Sequence, residues 1–456
     1  MATNKKNNGV HVLTIPFPAG GHILPHMDLI HQLLRRGLTV TIVVTPKNLH
    51  YLNPLLSLHS STSVHTLVLP FPTCSASPIP PGVEIMQDVS LAPHFVESLS
   101  ELFDPLVKWF RTHPSPPVSV LSDMLLSSWV NSLASSLNIQ NLSFSVLNPS
   151  TLFPRMSRYL NYGSEDDSFT RIHMGIATSW GLIFNSFTEL DGDKMHMIKD
   201  EFIHHDRLWS IGPLLPIKPN GTERGGPGSM PQHQIIAWLD SFHVDKSAVY
   251  VGFGTQISLS KRQMETLASA LEESGVPFIW AINIMEEDGR DRNNVSSGFE
   301  ERVRGKGLVI KGWTPQLVIL EHRAVGSYLT HCGWNSALEG LLGEVLLLVW
   351  PMQVDHFDNA KLLAEELGVS IRVCEGLNTV PDATKLARIL SHSVSVDQPE
   401  RARAMKLKET ALAAIQKGGS SDQALDCLVQ LSALSAGTLI NKYKVPPWIY
   451  RGELVG

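Results

Sequence analysis

The stretch VHVLTIPFPAGGHILPHMDLIHQLLRRGLTVTIVVT, residues 10–45, sets the architecture of the chain. Residues 10–15 form a short apolar run suited to a buried strand, and residues 16–21 read as a turn. An amphipathic segment follows from about Ile23 to Arg36, and then a second apolar run from Val40 to Thr45. Strand, crossover helix and strand are the grammar of a parallel sheet with helices on its faces. Further strands are expected at Val118–Leu121, Asn141–Val146 and Gly181–Asn185. From Pro216 to Gln232 the chain becomes polar and rich in Gly and Pro without periodicity, which marks an interdomain linker. A second series begins at Ala248–Phe253 and continues through a helix near Lys261–Ser274, then Phe278–Ile282, Gly307–Ile310 and Gly326–Thr330. The fold class is therefore α/β, with two doubly wound, Rossmann-like domains whose parallel sheets face an interdomain cleft. Ligands are expected outside the carboxyl ends of the strands. The expected divisions are residues 1–222, residues 223–434 and a tail, 435–456, whose pattern fits neither helix nor strand.

Composition narrows the function. A length of 456 residues exceeds what one core normally serves. The formal net charge of −6 argues against a nucleic-acid partner, which calls for a basic face. Cys74, Cys332, Cys374 and Cys427 lie far apart, with no C-x-x-C pair, so neither a disulfide framework nor a zinc site is indicated. Residues 1–9 are polar and unlike a signal peptide, and no run approaches the ~20 apolar residues that span a bilayer. A cytoplasmic monomer is expected. The sequons at Asn141, Asn220 and Asn294 should then stay unmodified.

The chemistry concentrates in WTPQLVILEHRAVGSYLTHCGWNSALEG, residues 313–340, and in WPMQVDH, residues 350–356. Ser327–Thr330 reads as a strand end, and His331–Ser336 opens a helix. The exposed N–H groups and positive dipole of a helix start suit a diphosphate. Gly333 lets the backbone approach closely, Asn335 and Ser336 can donate from the first turn, and His331 can point at the phosphates. Glu339 lies one turn on, placed to accept from ribose hydroxyls as the acidic residue of dinucleotide folds does. Trp313 offers a flat face for a base. A helix start capped for stability alone would explain Asn335 but not the whole array.

This array resembles the donor signature of plant family-1 UDP-glycosyltransferases, which have the two-domain GT-B fold. The resemblance implies Trp313 for uracil, Glu339 for ribose, and His331, Asn335 and Ser336 for the diphosphate. It also implies sugar contacts from Trp334, Asp355 and the terminal residue, His356, with Gln316 among the donor contacts. Thr255, in the turn Gly252–Gln256, would add a phosphate contact. The first domain then binds the acceptor and the second the UDP-sugar, a co-substrate; no cofactor or metal is implied.

A second site lies at Pro18–His22. Gly20 and Gly21 would bring the backbone tight into the cleft, and His22 matches the family's general base. With an ordinary pKa of ~6.5, an imidazole can take a proton from a phenolic hydroxyl near neutral pH. Asp123, after the strand at Val118–Leu121, matches the aspartate that orients that histidine. It also suits a helix N-cap, and both roles can hold together.

Other signals are set aside. Asp191-Gly192-Asp193 resembles a metal-holding D-x-D but reads as a surface turn. His22 and His26 flank Pro25 and lack the Glu of H-E-x-x-H, so zinc is not indicated. Gly252-Phe253-Gly254 lacks a P-loop lysine. No G-x-G-x-x-G follows either first strand, which disfavours a nicotinamide oxidoreductase.

The resemblance extends to about Leu434 and carries the substrate reading. Glucosyltransferases of the family end the signature in Gln; His356 here matches galactosyltransferases and certain flavonol 7-O-rhamnosyltransferases. Residues 40–47, 209–216, 249–256, 321–328, 350–357 and 380–389 resemble the rhamnosyltransferases more. At 343–347 the family's Gly-Val-Pro is replaced by a stretch without proline. UDP-rhamnose is thus the expected donor and a flavonol 7-hydroxyl the expected acceptor, with galactosyl or glucosyl transfer as alternatives. A catalytically silent UDP-sugar-binding protein is the other alternative, disfavoured by the presence of both His22 and Asp123. Rhamnose lacks the 6-hydroxyl, so Val146 and Leu147 are candidate apolar walls, or simply core. Ile79–Met86, Phe153 and Met156 are candidate acceptor-lining positions.

Overall fold

A computed structural model describes residues 10–72, 77–164, 166–217, 224–225, 228–283 and 298–435. The expectations that fall on residues 1–9, Cys74, Asn220, Asn294, residues 218–223 and 226–227 of the linker and the tail after residue 435 lie outside the described residues.

The chain forms two compact units, one of residues 1–220 with 414–456, the other of residues 221–413. The first contains β1 (His11–Ile15), β2 (Thr39–Val44), β3 (Val64–Val68), β4 (Ser119–Asp123), β5 (Gln140–Ser145), β6 (Gly181–Phe184) and β7 (Leu208–Ser210). They make one sheet in the order β3-β2-β1-β4-β5-β6-β7, parallel throughout. β1 and β4 are buried along their whole length, as strands covered on both faces must be. Helix Gly20–Arg35 joins β1 to β2, matching the opening pattern of the sequence. The edges β3 and β7 went unread: β3 is half exposed, and β7 has only three residues.

The second unit contains β8 (Ala248–Gly252), β9 (Phe278–Ile282), β10 (Gly307–Lys311), β11 (Val325–Thr330), β12 (Leu346–Val349) and β13 (Ser370–Arg372). Their order is β10-β9-β8-β11-β12-β13, again all parallel. Its core holds Trp280, Trp350, Phe278 and Phe299 among the side chains of Val249, Val251, Leu329 and Leu348. Each sheet reverses its winding once, between β1 and β4 and between β8 and β11, and a crevice at the carboxyl ends of those strands follows from that topology.

Three sequence expectations need correction. Helix Ser420–Ser435 belongs to the first unit, not the second: Leu425, Leu428 and Val429 enter the first core, and Ser421 Oγ donates to the Gly212 carbonyl at 2.5 Å. Arg36, at the end of the first helix, pairs with Asp422 at 2.6 Å and Asp426 at 2.7 Å. Asp191-Gly192-Asp193 is no surface turn. It lies in helix Thr188–Ile198, where the buried Asp191 accepts from the hydroxyls of Ser150 and Ser186. Met86 and Met156 are core side chains, 3% and 0% exposed, rather than lining. Asn141 is also buried, bonded to Ser122 on the neighbouring strand and to Asn131 on helix Ser127–Ser136, which places that sequon inside the fold.

Leu428→Ala should cost about 3 kcal/mol through loss of apolar burial in the first core, read as a lower urea midpoint; an unchanged midpoint would contradict the assignment of this helix. His26 is fully buried, with Nε2 bonded to the Thr14 hydroxyl at 2.7 Å. Burial, reinforced by His22 and opposed by Asp123, lowers its pKa to about 4. The folded value lies below the unfolded ~6.5, so its stabilising contribution is present above pH 6.5 and is lost as the pH falls toward 4. The loss amounts to about 3 kcal/mol. Urea midpoints between pH 7 and 4 should fall less in His26→Gln than in the wild type, and parallel falls would refute the assignment.

Candidate active site

The first unit builds its constellation where β1 and β4 end side by side, with Ile15 level with Ser122. The chain leaves β1 through Phe17–Ala19 and starts a helix at Gly20, with Ala19 as an N-cap that has no side-chain cap bond. This start presents His22 toward β4. Its Nδ1 lies 2.8 Å from Oδ2 of Asp123, the last residue of that strand. Asp123 is wholly buried, whereas the His22 side chain keeps 17% exposure. The second carboxylate oxygen of Asp123 accepts from the Leu125 N–H at 3.0 Å, capping the short turn Met124–Leu126. The two roles expected of Asp123 therefore coexist on its two oxygens. With Nδ1–H donating to the carboxylate, Nε2 is the basic nitrogen of the ring. Phe17 flanks the imidazole at 5.2 Å.

The surroundings of that pair are mostly apolar. The Met86 N–H donates to the Pro18 carbonyl at 2.8 Å, tying the 77–91 loop to the turn before His22. Ile79 and Val83 in that loop, and Phe153, pack half-buried against the first core, and Ile85 does so against its neighbouring cluster. A Cβ added at Gly21 would meet nothing within 4 Å, so protein packing does not require glycine there. Gly20 is buried at the helix start. Val146 is 7% exposed within the core at the end of β5, with Leu147 half-buried beside it, so their packing is that of core residues.

In the second unit the matching place is the end of β11, flanked by β8 and β12, where Thr330 lies level with Gly252 and Val349. Helix Trp334–Leu342 starts after Gly333, which has no side chain to cap it. His331 and Ser336 are buried and Asn335 half-buried. The His331 ring sits between two glycines: a Cβ at Gly254 or at Gly333 would come 2.6 Å from it. Cys332 and Gly254 both have φ of +70°, so the backbone is bent sharply at the points that frame this ring. Burial, with His356 adding to it and Asp355 opposing, pushes the His331 pKa well below the usual histidine value. The ring is therefore neutral at pH 7. His356 meets it edge-on at 4.6 Å, and its Nδ1 accepts from the Gln353 N–H at 3.3 Å. Thr255 is exposed on the loop after β8.

Several contacts here were not legible in the sequence. Gln316 donates to the Glu339 carboxylate at 2.6 Å and accepts from the Tyr328 hydroxyl at 2.9 Å. Tyr250 completes this group through Thr314 at 3.0 Å. Asn359, fully buried, donates both to Asp355 at 3.0 Å and to the Cys332 carbonyl at 3.0 Å. It thereby joins the loop after β12 to the loop after β11. Its only sequence signal was a position one helical turn beyond Asp355. Trp313 is half-buried, and its carbonyl accepts from Ser229 at 2.9 Å. No helix among the described residues is long and apolar enough to cross a membrane.

Comparison with known proteins accords with this geometry. The family described as UDP-glucoronosyl and UDP-glucosyl transferase matches residues 208–385. A flavonol 7-O-rhamnosyltransferase of Arabidopsis thaliana is 47% identical over 430 residues, which cover 92% of this chain and 97% of that protein. A flavonol 3-O-glucosyltransferase of the same plant is 41% identical, with 94% and 98% covered. The crystal structure of Arabidopsis thaliana UGT89C1 complexed with UDP-L-rhamnose has a TM-score of 0.85 at 46% identity, covering 93% of this chain and 99% of its own. UGT89C1 has also been solved complexed with quercetin, with a TM-score of 0.84, 46% identity and the same coverage of both chains. With such relatives along nearly its whole length, this chain belongs to the UDP-glycosyltransferase family and has its GT-B fold, and it is an enzyme that transfers sugar from a UDP-sugar.

Proposed function

We propose that this enzyme transfers L-rhamnose from UDP-L-rhamnose to a flavonol hydroxyl, the 7-hydroxyl, in one inverting displacement. The observation that carries the donor assignment is His356, held edge-on to His331 at the end of the donor signature. With Nδ1 accepting from the backbone, its remaining nitrogen carries the proton and offers a single donor to the sugar. The amide of the glucosyltransferases offers donor and acceptor together. The similarity to the Arabidopsis rhamnosyltransferase, and to a protein solved with UDP-L-rhamnose and with quercetin, supports the same reading.

His22 acts as the general base. Its Nε2 takes the proton of the acceptor hydroxyl, and Asp123 on Nδ1 stabilises the imidazolium that forms. The acceptor oxygen bonds to the anomeric carbon as the bond from that carbon to the β-phosphate oxygen breaks, and its electron pair leaves with UDP. The helix start at Gly333–Ser336, His331 and Thr255 receive the diphosphate, Glu339 the ribose, Trp313 the uracil, and Asp355, Trp334 and His356 the sugar. Gln316 positions Glu339. The residue set calls for no metal. Leu147, half-buried, is the candidate apolar surface for the 6-methyl of rhamnose, and Ile79, Val83 and Phe153 are those for the flat acceptor.

The 41% identical flavonol 3-O-glucosyltransferase supports glucosyl transfer as the second reading. Incubating the enzyme with kaempferol and UDP-rhamnose, UDP-glucose or UDP-galactose, without added metal, separates the two. A deoxyhexoside product is expected; a hexoside alone would refute rhamnosyl transfer. In the same panel, His356→Gln should shift the ratio toward the hexoside by about tenfold, and an unmoved ratio would remove His356 from donor selection. His22→Ala should lower kcat by about a hundred- to ten-thousand-fold with the affinity for UDP unchanged. A loss of UDP affinity would refute its role as base.

A further inference from the structure

The donor constellation carries two carboxylates, Glu339 and Asp355, and must also take up the diphosphate, whose charge rises further when UDP departs. The neutral His331 ring does not offset this. Arg372, whose field reaches Cys332, is already paired with Glu365 and Glu375. A further cation stands at this group. Arg224 places its guanidinium 3.9 Å from the Glu339 carboxylate, with both side chains largely buried at 15% and 13% exposure. At this separation the two groups form an ion pair.

Arg224 is held there by the residues around it. Gly225, at φ +88°, lies so close to the Trp313 indole that an added Cβ would fall 2.1 Å from its Cζ2. The Ser229 N–H bonds the Trp313 carbonyl. Only glycine lets the chain ride on the indole in this conformation, and that seating sets the preceding arginine beside Glu339. The same short stretch thus contacts the proposed base-stacking ring and the proposed ribose carboxylate.

We propose that Arg224 is a donor-site residue whose charge balances the nucleoside diphosphate: it offsets Glu339 and draws the diphosphate to the helix start beyond it. The inference rests on the donor-site reading above. It requires that Arg224 distinguish UDP from uridine, since only UDP carries the charge.

Calorimetric titration of the wild type, Arg224→Gln and Arg224→Lys with UDP and with uridine tests this, with melting temperatures confirming that each variant folds. Arg224→Gln should weaken UDP by about tenfold or more while uridine binding holds, and Arg224→Lys should recover part of the loss. Three outcomes overturn the assignment alone: UDP affinity unchanged in Arg224→Gln, UDP affinity increased as if the arginine blocked Glu339, or UDP and uridine weakened equally. A wild type that binds no UDP overturns the donor-site reading as well.

Discussion

Parallel pairing with one reversal of winding is the constraint from which the rest of the structure follows. A parallel sheet brings every strand to its carboxyl end on the same side, and each strand must leave that end through a loop into a helix start. Where the winding reverses, neighbouring loops turn to opposite faces. His22 and Asp123 meet because β1 and β4 are neighbours across the first reversal. His331 and Thr255 follow adjacent strands because β11 and β8 are neighbours across the second.

Each reversal gathers different groups. In the first unit a buried carboxylate is stabilised by one imidazole and one backbone N–H, the arrangement that the proposed base requires. In the second, the ring of His331 is desolvated until it is neutral, and two glycines leave it just enough room. Positive φ at Cys332 and at Val354, a β-branched residue, stores backbone strain in the loops after β11 and β12. Asn359 bridges the two strained loops, so their conformations are tied together.

Much of this was legible because local patterns and local chemistry coincided. Helix Lys261–Ser274 and strand β9 fall where periodicity put them, since a capping box at Ser260 and Gln263 and a continuous apolar run act within a few residues. The candidate donor residues were legible as one array because helix spacing puts Asn335 and Ser336 in the first turn and Glu339 in the next. The edges β3, β7 and β13 were not, because short or half-exposed strands leave little alternation to read. Helix Ser420–Ser435 was assigned to the wrong unit because its partners, Arg36 and Gly212, lie some two to four hundred residues away.

By itself, the sequence determined two α/β units, a helix start after β11, a histidine at the first helix start and a family. These are matters of period, glycine placement and residue type within a single turn or loop. Only the tertiary structure decided that Asp191 is a buried acceptor, that Met86 and Met156 serve the core, and that Gln316 braces Glu339. It also decided that Arg224 reaches the same carboxylate. Each of those outcomes depends on which side chain arrives from a distant segment, and burial and charge act through that proximity rather than through order along the chain.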